Sequence, residues 1–272
     1  MHDDEIRVTD VAMQYQGNSK PLRVLDMISF TVKTGDFVTI LGPNGCGKST
    51  LLRIIAGLLS PTNGQVLHQN SLVTKPEAIR LMMFQERTLF PWLTIAQNVA
   101  FGLEAQSIPR RAQRTLIDKY LSLVQLSDFA DRYPHELSGG MRQRAELARA
   151  LAVEPRVILL DEPFAALDAL TREILQEEIL RLRRELEFTC VMVTHDIREA
   201  LILSDQIILF SRRPGRIKDI LSITQANKRE HGWRNTPLFH EMHERIFASL
   251  REEMDELLLH KMSTTYQNEE KS

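Results

Sequence analysis

The sequence has few cysteines and no long apolar run. Cys46 and Cys190 are the two cysteines among 272 residues, too few for a disulfide framework or a structural zinc site. We therefore expect a cytosolic protein. The longest unbroken apolar run, with glycine counted, is Ile54–Leu59. A spanning helix needs roughly 18 such residues, so the sequence predicts no segment that crosses a bilayer.

An excess of positive charge is also missing. The chain has 34 Lys and Arg against 36 Asp and Glu, a formal net charge of −2. Proteins that bind nucleic acid usually present a basic face, so this balance argues against nucleic acid as a partner. The acidic start, Met1–Glu5, lacks the basic and apolar segments of a secretory signal. A hydrophobic fraction of 43% and a charged fraction of 26% are typical of soluble globular proteins.

Short apolar runs rich in β-branched residues predict buried strands. Such runs occupy 37–41, 157–160 and 190–193, and none has a polar face. This is the pattern of parallel strands that helices cover on both sides. Between the last two runs, one amphipathic helical stripe contains Leu175, Ile179, Leu182 and Leu186. Segment 157–193 therefore predicts a βαβ unit, and the predicted fold class is α/β.

Three other regions depart from this pattern. Residues 94–153 show helical periodicity without a strand pattern, which predicts a helical subdomain inserted into the α/β core. Ile6–Tyr15 nearly alternates apolar and polar residues, so we predict a half-buried strand with an irregularity near Asp10. In the C-terminal tail, Thr236 and Pro237 predict a helix start. The helix that follows has an apolar stripe of Ile246, Leu250, Met254 and Leu257.

A glycine-rich segment follows the predicted strand at 37–41 and precedes a helical run. It fits the phosphate-binding pattern G-x-x-x-x-G-K-[ST] in the context that this pattern requires. The glycines let backbone N–H groups surround a β-phosphate, and the helix N-terminus adds its positive end. Lys48 is expected to reach the β- and γ-phosphates, and the Ser49 hydroxyl to ligate Mg²⁺. The predicted nucleotide-binding residues are Gly42, Pro43, Asn44, Gly45, Cys46, Gly47, Lys48, Ser49 and Thr50.

Two acidic residues follow the predicted strand at 157–160. Asp161 stands at the carboxyl edge of that strand, where it can hold the metal of a nucleotide site, usually through water. Glu162 points elsewhere and can polarise the attacking water as a general base. The alternative is a turn or helix-cap acid, which is common for an Asp-Glu-Pro sequence. The phosphate-binding loop in the same chain favours the metal and base roles.

A second helix start lies at Leu137–Arg144, where Ser138, Gly139 and Gly140 precede a helical run. A serine N-cap with flexible glycines describes most such junctions. On that interpretation the chain has two helix N-termini that could bind an anion, at 47–49 and at 138–140. Only the first of them belongs to a loop with a lysine.

Segment 137–144 resembles the LSGGQRQR signature of the nucleotide-binding subunits of ABC transporters, with Met141 in place of glutamine. The resemblance extends over about residues 6–216. The remaining family motifs occur in the family's order, at 42–49, Gln85, Asp161-Glu162, Asp168 and His195. The resemblance implies a P-loop NTPase core with a mostly parallel sheet, an N-terminal antiparallel β portion and an inserted α-helical subdomain. It implies an ATPase domain at 1–224, with the helical subdomain at about 94–153, and a helical extension at 225–272.

The resemblance also implies that the chain binds ATP and Mg²⁺ and pairs with a second ATP-binding subunit. Two chains, in the simplest case identical, would enclose two ATP molecules head to tail. Ser138–Gly140 of one chain would cap the γ-phosphate held by the other chain's loop, with Asp168 counted among the nucleotide-binding residues. Gln85 would join the metal and water shell, and His195 would clamp the γ-phosphate. Tyr15 matches the aromatic residue that stacks on adenine, and a core tyrosine at the end of its strand is the alternative.

Two segments resemble the branch of the family that serves uptake of nitrate, sulfonate, taurine and pyrimidine precursors. They are Leu89–Leu93 and Ser211–Ile217, the second of which follows a predicted strand at 206–210. The resemblance implies a separate integral membrane permease that docks near Phe90 and Trp92, with core packing of both aromatics as an equal alternative. A periplasmic or surface solute-binding protein would be an indirect partner. The expected location is peripheral, on the cytoplasmic face of the membrane.

Two further protein classes share some of these motifs. DNA-maintenance ATPases insert long heptad arms before the signature, whereas Lys48 and Ser138 are only 90 positions apart without sustained heptads. A non-hydrolysing scaffold is expected to lack the general base, and Glu162 is present. The sequence therefore favours the ATPase of a transporter.

Overall fold

The computed structural model describes residues 4–16, 21–85, 89–165, 167–223 and 232–269, with side chains up to Glu253. The strands are β1 (Asp4–Tyr15), β2 (Leu22–Lys33), β3 (Phe37–Leu41), β4 (Asn63–His68), β5 (Ser71–Leu72), β6 (Arg80–Met83), β7 (Val157–Asp161), β8 (Thr189–Thr194), β9 (Gln206–Phe210) and β10 (Ile217–Ser222). The α-helices are α1 (Lys48–Ile55), α2 (Ile95–Ala105), α3 (Arg110–Leu123), α4 (Gly139–Ala152), α5 (Ala169–Leu186), α6 (Ile197–Leu203) and α7 (Pro237–Glu269).

The larger sheet has the strand order β10-β9-β3-β8-β7-β6. Its strands are parallel except β10, which runs antiparallel to β9. All residues of β3, β7 and β8 are buried, because helices or the smaller sheet cover both faces. The strands predicted at 37–41, 157–160, 190–193 and 206–210 are confirmed.

The predicted βαβ unit consists of β7, α5 and β8. β7 and β8 are parallel neighbours, and α5 begins at its N-cap Asp168. Leu175, Ile179 and Leu182 of α5 are at most 5% exposed and pack against the sheet in one cluster. The apolar stripe seen in the sequence is therefore the face of α5 that covers the sheet.

The stretch from Thr94 to Val153 contains three α-helices and no strand, as predicted. α2 begins where it does because of a reciprocal cap. The Thr94 hydroxyl accepts the Gln97 backbone N–H at 3.2 Å, and the Gln97 side chain accepts the Thr94 N–H at 2.8 Å. The helices pack on the face of the sheet that α5 also covers. The subdomain boundaries at 94 and 153 stay a prediction.

A smaller antiparallel sheet of order β2-β1-β4-β5 forms the predicted N-terminal β portion. β1 has an irregularity at Asp10, which adopts φ +48° while the pairing register shifts between Val8 and Val11. Ser29 stabilises this bulge, since its hydroxyl accepts the Asp10 N–H at 2.8 Å and donates to the Asp10 carboxylate at 2.9 Å. Where β1 ends and β2 begins, Tyr15 pairs with Leu22.

The C-terminal helix α7 starts at Pro237, as predicted, and the Thr236 hydroxyl accepts the Phe239 N–H at 3.2 Å. Phe239 and Ile246 are buried in the cluster that α6 and the edge of the larger sheet form. Met254 and Leu257 lie outside the described side chains, and the division between 1–224 and 225–272 stays a prediction. Within the described residues, every helix is too short or too polar to cross a membrane.

Candidate functional site

Four parallel strands end at one edge of the larger sheet, and predicted site residues lie at or just after the end of each strand. The phosphate-binding loop at 42–47 follows β3, and His195 follows β8. Asp161 is the last residue of β7, and Gln85 stands two positions after β6. Ligands of open α/β sheets bind outside the carboxyl ends of the strands. The sheet order therefore brings together motifs that are far apart in the sequence.

The phosphate-binding loop is shaped by a left-handed backbone at Gly47, where φ is +109°. A Cβ at this position would lie 2.8 Å from the Leu25 side chain, so both the conformation and the packing require glycine. The turn starts α1 at Lys48, whose side chain is 4% exposed. Its ammonium donates to the carbonyls of Gly42 at 2.8 Å and Pro43 at 3.0 Å. An ammonium has three N–H donors, so one is left for a phosphate oxygen.

A pocket of about 300 Å³ opens above this loop. Eight predicted site residues line it, which are Tyr15, Asn44, Gly45, Gly47, Lys48, Ser49, Thr50 and Glu162. Tyr15 is 38% exposed, so the core alternative does not describe its side chain. Leu22, Val24 and Arg213 also line the pocket and were missed by the sequence analysis. The pocket therefore combines the loop, the end of the β1–β2 hairpin and the end of β7.

A larger cavity of about 370 Å³ lies near α3 and the end of α4. None of the predicted site residues lines it. Its Glu154 carboxylate already accepts hydrogen bonds from Lys119 at 3.3 Å and from Tyr120 at 3.0 Å. Burial, and then this contact with Glu154, raise the pKa of Tyr120. The pocket above the phosphate-binding loop is the better candidate for the functional site.

Ser49 and Asp161 form a pair of oxygen ligands at the base of the loop. The Ser49 hydroxyl donates to the Asp161 carboxylate at 2.7 Å, across 112 positions of sequence. Asp161 is 4% exposed, and burial raises its pKa while the bond from Ser49 opposes the rise. A bound cation would offset the cost of burying this charge. Hydroxyl and carboxylate oxygens beside a phosphate site are the donor set that Mg²⁺ prefers, so these residues fit the ion.

Glu162 has a strained backbone beside the pocket. Its φ is +46°, a conformation that non-glycine residues adopt rarely and mainly where structure or function requires it. Its N–H donates to the Val193 carbonyl of β8 at 3.0 Å, which fixes the turn. The side chain is 15% exposed, and its carboxylate lies 3.3 Å from Nδ1 of His195. The structure therefore places His195 beside the predicted base.

The segment Ser138–Gly140 lies outside this pocket. Ser138 is the N-cap of α4, and its exposed hydroxyl accepts the Met141 N–H at 3.3 Å. The N-cap interpretation is thus confirmed for the chain alone. Gly140 packs closely on α5, since a Cβ there would lie 2.6 Å from the Thr171 side chain. Gly139 and Gly140 are only partly buried, so the helix start is accessible from outside.

The remaining motif residues make their contacts near the N-terminal ends of α4 and α5. Gln143 of α4 donates from its amide to the Pro163 carbonyl, one residue beyond Glu162, a contact that the sequence analysis missed. Asp168 caps α5 by accepting the Thr171 N–H at 3.0 Å, and this bond lowers the pKa of the exposed carboxyl. Gln85 is exposed at the same sheet edge. Ala166, between Pro163 and Asp168, lies outside the described residues.

These features define a class of protein. A buried strand leads through a glycine-rich loop to a helix that begins with lysine and serine, and an aspartate and a glutamate stand at the end of β7, two strands away in the same sheet. The lysine, the serine–aspartate pair and the glutamate meet around one pocket or its base. Together they define a P-loop nucleoside triphosphatase.

Comparison with known proteins identifies the family. The ABC transporter family matches residues 25–165, slightly more than half of the chain. An uncharacterized ABC transporter ATP-binding protein of Methanocaldococcus jannaschii is 43% identical over 92% of each chain. The taurine import ATP-binding protein of Roseobacter denitrificans is 42% identical over 78% of this chain and 80% of its own length. The aliphatic sulfonates import ATP-binding protein of Bacillus cereus is 42% identical over 79% and 85%. The chain belongs to the ABC transporter family.

A solved structure supports the same assignment. The dimeric post-hydrolysis state of an ATP-binding cassette, bound to ADP and Pi, has a TM-score of 0.69 and 32% identity over 80% of this chain and 99% of its own. The predicted fold class and the ATPase class are confirmed. The family match at 25–165 includes the phosphate-binding loop, Ser138 and Glu162, whereas Asp168 and His195 follow it.

Proposed function

We propose that the protein is the ATP-hydrolysing subunit of an importer of the ABC transporter family. The observation that carries the proposal is the position of Glu162. Its carboxylate lines the pocket that also contains Lys48 and Ser49, and a left-handed backbone directs it there. Residues held in such a strained conformation cluster at active sites, which supports a catalytic role for this acid. The proposal assigns the ATPase unit to 1–224, with the helical subdomain at about 94–153, and a C-terminal extension to 225–272.

Each residue at the sheet edge has a role in this proposal. The loop N–H groups and the Lys48 ammonium bind the β- and γ-phosphates, and Tyr15 stacks on the adenine. Ser49 and Asp161 hold Mg²⁺, with Gln85 in the shell around it. When bound, Mg²⁺ neutralises charge on the phosphate oxygens. The Glu162 carboxylate accepts a proton from the attacking water, and His195 contacts the γ-phosphate from the neighbouring strand end.

A second copy of the chain completes the site in this proposal. The pocket contains no residue of 138–140, although this segment is an accessible helix N-terminus with two glycines. Such a helix start binds anions through free N–H groups and the positive end of the dipole. We therefore assign Ser138, Gly139, Gly140 and Asp168 to the nucleotide held by the partner chain. The dimeric ATP-binding cassette of similar fold supports this arrangement.

A patch of aromatic side chains near Gln85 is assigned to the membrane permease. Trp92 is 70% exposed and Phe101 is 50% exposed, and the Phe90 ring lies 5.6 Å and 4.6 Å from them. Core packing is therefore wrong for Trp92. Exposed apolar patches of this kind mark interaction surfaces. The protein would bind at the cytoplasmic face of the membrane through this patch, while a solute-binding protein delivers the solute to the permease.

The solute is proposed to be nitrate, a sulfonate, taurine or a similar small molecule. The import proteins for taurine and aliphatic sulfonates at 42% identity support this choice, as do the segments at 89–93 and 211–217. The function is tested by assaying the purified chain for Mg²⁺-dependent ATP hydrolysis and by reconstituting it with the membrane permease that co-purifies with it. We expect ATPase activity. We also expect the reconstituted permease, together with a solute-bound binding protein, to stimulate it. A chain that binds no Mg-ATP would contradict the proposal.

Trp92→Ala is expected to weaken assembly with the permease by tenfold or more, because removal of a central aromatic side chain typically costs an interface about 2 kcal/mol. ATP binding and the melting temperature of the isolated chain should not change, since Trp92 is mostly exposed. Leu72→Ala is the matched control, because Leu72 is 55% exposed on the smaller sheet. Co-purification from detergent-solubilised membranes measures the difference. Equal recovery of both variants with the permease would remove Trp92 from the interface.

A further inference from the structure

The loop between β9 and β10, at 211–216, packs directly on the phosphate-binding loop. Its Gly215 N–H donates to the Val24 carbonyl at 2.8 Å, and its carbonyl accepts the Asp26 N–H at 3.0 Å. A Cβ on Gly215 would lie 2.4 Å from the Cys46 carbonyl oxygen, so only glycine permits this approach. The 211–216 loop is therefore held between β2 and the phosphate-binding loop.

Arg213 lies in the middle of the 211–216 loop and lines the nucleotide pocket. The base of the loop is closed by the Ser211 N–H, which donates to the Arg216 carbonyl at 2.9 Å. Arg216 is neutralised by Asp26, at 2.7 Å from its Nε atom. For Arg213, the described residues provide no carboxylate within ion-pair distance. An unpaired guanidinium beside a phosphate-binding loop is positioned for a phosphate oxygen.

The sheet order shows which end of the nucleotide Arg213 faces. β9 and β8 are the two neighbours of β3, and β7 lies beyond β8. The 211–216 loop therefore approaches the phosphate-binding loop from the side opposite to Asp161 and Glu162. It is bonded to β2 at Val24, close to Leu22, which pairs with Tyr15. Arg213 thus lies on the Tyr15 side, where the nucleoside and its nearest phosphate are bound in the proposed function.

The C-terminal helix α7 holds the residue next to Arg213. The Glu253 carboxylate accepts the Arg212 backbone N–H at 3.0 Å and lies 3.4 Å from the Lys218 ammonium. Lys218 also donates to the Ser249 carbonyl of α7 at 2.9 Å. The helix is therefore attached to both ends of the turn that follows β9. A contact to the backbone of Arg212 limits where the Arg213 side chain can go.

We propose that Arg213 binds the nucleotide phosphates nearest the ribose, and that Glu253 of α7 is the positioning residue that holds its loop. This inference rests on the proposed function, since it adds a ligand residue to the same ATP site. It also gives the C-terminal extension a role in setting nucleotide affinity. Because ATP and ADP share these phosphates, Arg213 should stabilise both by the same factor. The γ-phosphate is left to Lys48, His195 and the partner chain.

The experiment measures the dissociation constants of Mg-ATP and Mg-ADP by calorimetry on the full-length chain and its variants. Arg213→Ala is expected to weaken both nucleotides about tenfold, the usual scale for one charge-assisted hydrogen bond at a partly exposed site. Arg213→Lys should recover part of the loss, because it keeps the charge. The melting temperature should not change, since Arg213 is exposed.

Glu253 is tested by non-additivity. Glu253→Ala should weaken both nucleotides by a smaller factor, and the double variant with Arg213→Ala should bind no worse than Arg213→Ala alone. Glu253→Gln keeps an oxygen acceptor for the Arg212 N–H but loses the charge beside Lys218, so it should bind both nucleotides more tightly than Glu253→Ala does. Arg245→Ala is the matched control, because Arg245 joins α7 to Asp219 at 2.9 Å, and among the described residues no hydrogen bond or ion pair links it to the 211–216 loop. It should bind both nucleotides normally.

Unchanged binding by Arg213→Ala, in a wild type that binds Mg-ATP, would overturn the inference and leave the proposed function intact. A loss restricted to ATP would overturn the assignment to the ribose side. Additive effects of the two substitutions, or Glu253→Gln behaving like Glu253→Ala, would overturn the positioning role. A wild type that binds neither nucleotide would instead contradict the proposed function itself.

Discussion

Glu162→Gln is expected to abolish ATP turnover while Mg-ATP stays bound. Loss of a general base typically lowers a rate by about 10²- to 10⁴-fold. The amide is nearly isosteric with the carboxylate, so Lys48, Ser49 and the rest of the pocket should be undisturbed. Chains that bind ATP without hydrolysing it should accumulate as a nucleotide-bound dimer. Steady-state ATPase rates and size-exclusion chromatography with excess Mg-ATP measure the two effects.

Glu187→Gln is the control for that substitution. Glu187 also adopts a left-handed backbone, with φ +52°, but it ends α5 at the surface away from the nucleotide pocket. Glu187→Gln makes the same chemical change at a glutamate with the same backbone conformation. It should leave the ATPase rate near that of wild type. Undiminished hydrolysis by Glu162→Gln would remove Glu162 from the role of base. A variant that stays monomeric with bound ATP would contradict the dimer.

A mixture of two inactive variants is expected to recover ATPase activity. Lys48→Ala removes the ammonium from the pocket, and Ser138→Arg places a large side chain at the exposed start of α4. In a heterodimer, one site combines the intact loop of the Ser138→Arg chain with the intact Ser138 of the Lys48→Ala chain. Each homodimer has two defective sites. Activity should therefore appear only when the two chains are mixed, in a titration of one variant against the other.

The matched control is Ser122→Arg, which introduces the same side chain at an exposed serine of α3 and should stay active. Ser138→Ala separates the loss of the helix cap, which typically costs about 1 kcal/mol, from the steric effect of arginine. No activity in any mixture, under conditions where wild type hydrolyses ATP, would contradict a site shared between chains. Activity of Ser138→Arg alone would contradict it as well.

Several parts of the fold were predictable because their signals are local. The buried strands at 37–41 and 190–193 are continuous apolar runs, and the covering face of α5 repeats at helical spacing. The bulge at Asp10 was visible as a break in the alternation of Ile6–Tyr15. By contrast, β2 was missed. Its residues Val24, Leu25 and Asp26 are buried in succession, whereas residues 28–33 alternate between buried and exposed, a signal that the sequence analysis overlooked.

Some site residues could not be found from local pattern. Gln143 acts through a hydrogen bond from its side-chain amide to the Pro163 carbonyl, and any other polar residue of α4 would have looked equivalent in the sequence. The sequence contains only a weak indication that Arg213 belongs to the site: it is a basic residue in a glycine- and proline-containing turn after a predicted strand. Nothing in its spacing relates it to the phosphate-binding loop, more than 160 positions earlier.

The order of residues along the chain was sufficient to identify the family and to predict the chemistry of the site. The phosphate-binding loop and the adjacent Asp161 and Glu162 are particular side chains at short, fixed spacings, and such spacings are readable without coordinates. The three-dimensional arrangement decided which of these groups meet. The order β10-β9-β3-β8-β7-β6 brings Ser49 to 2.7 Å from Asp161, adds Arg213 to the pocket and leaves Ser138 outside it. Strand order results from packing between distant segments, and local propensity contains no information about it.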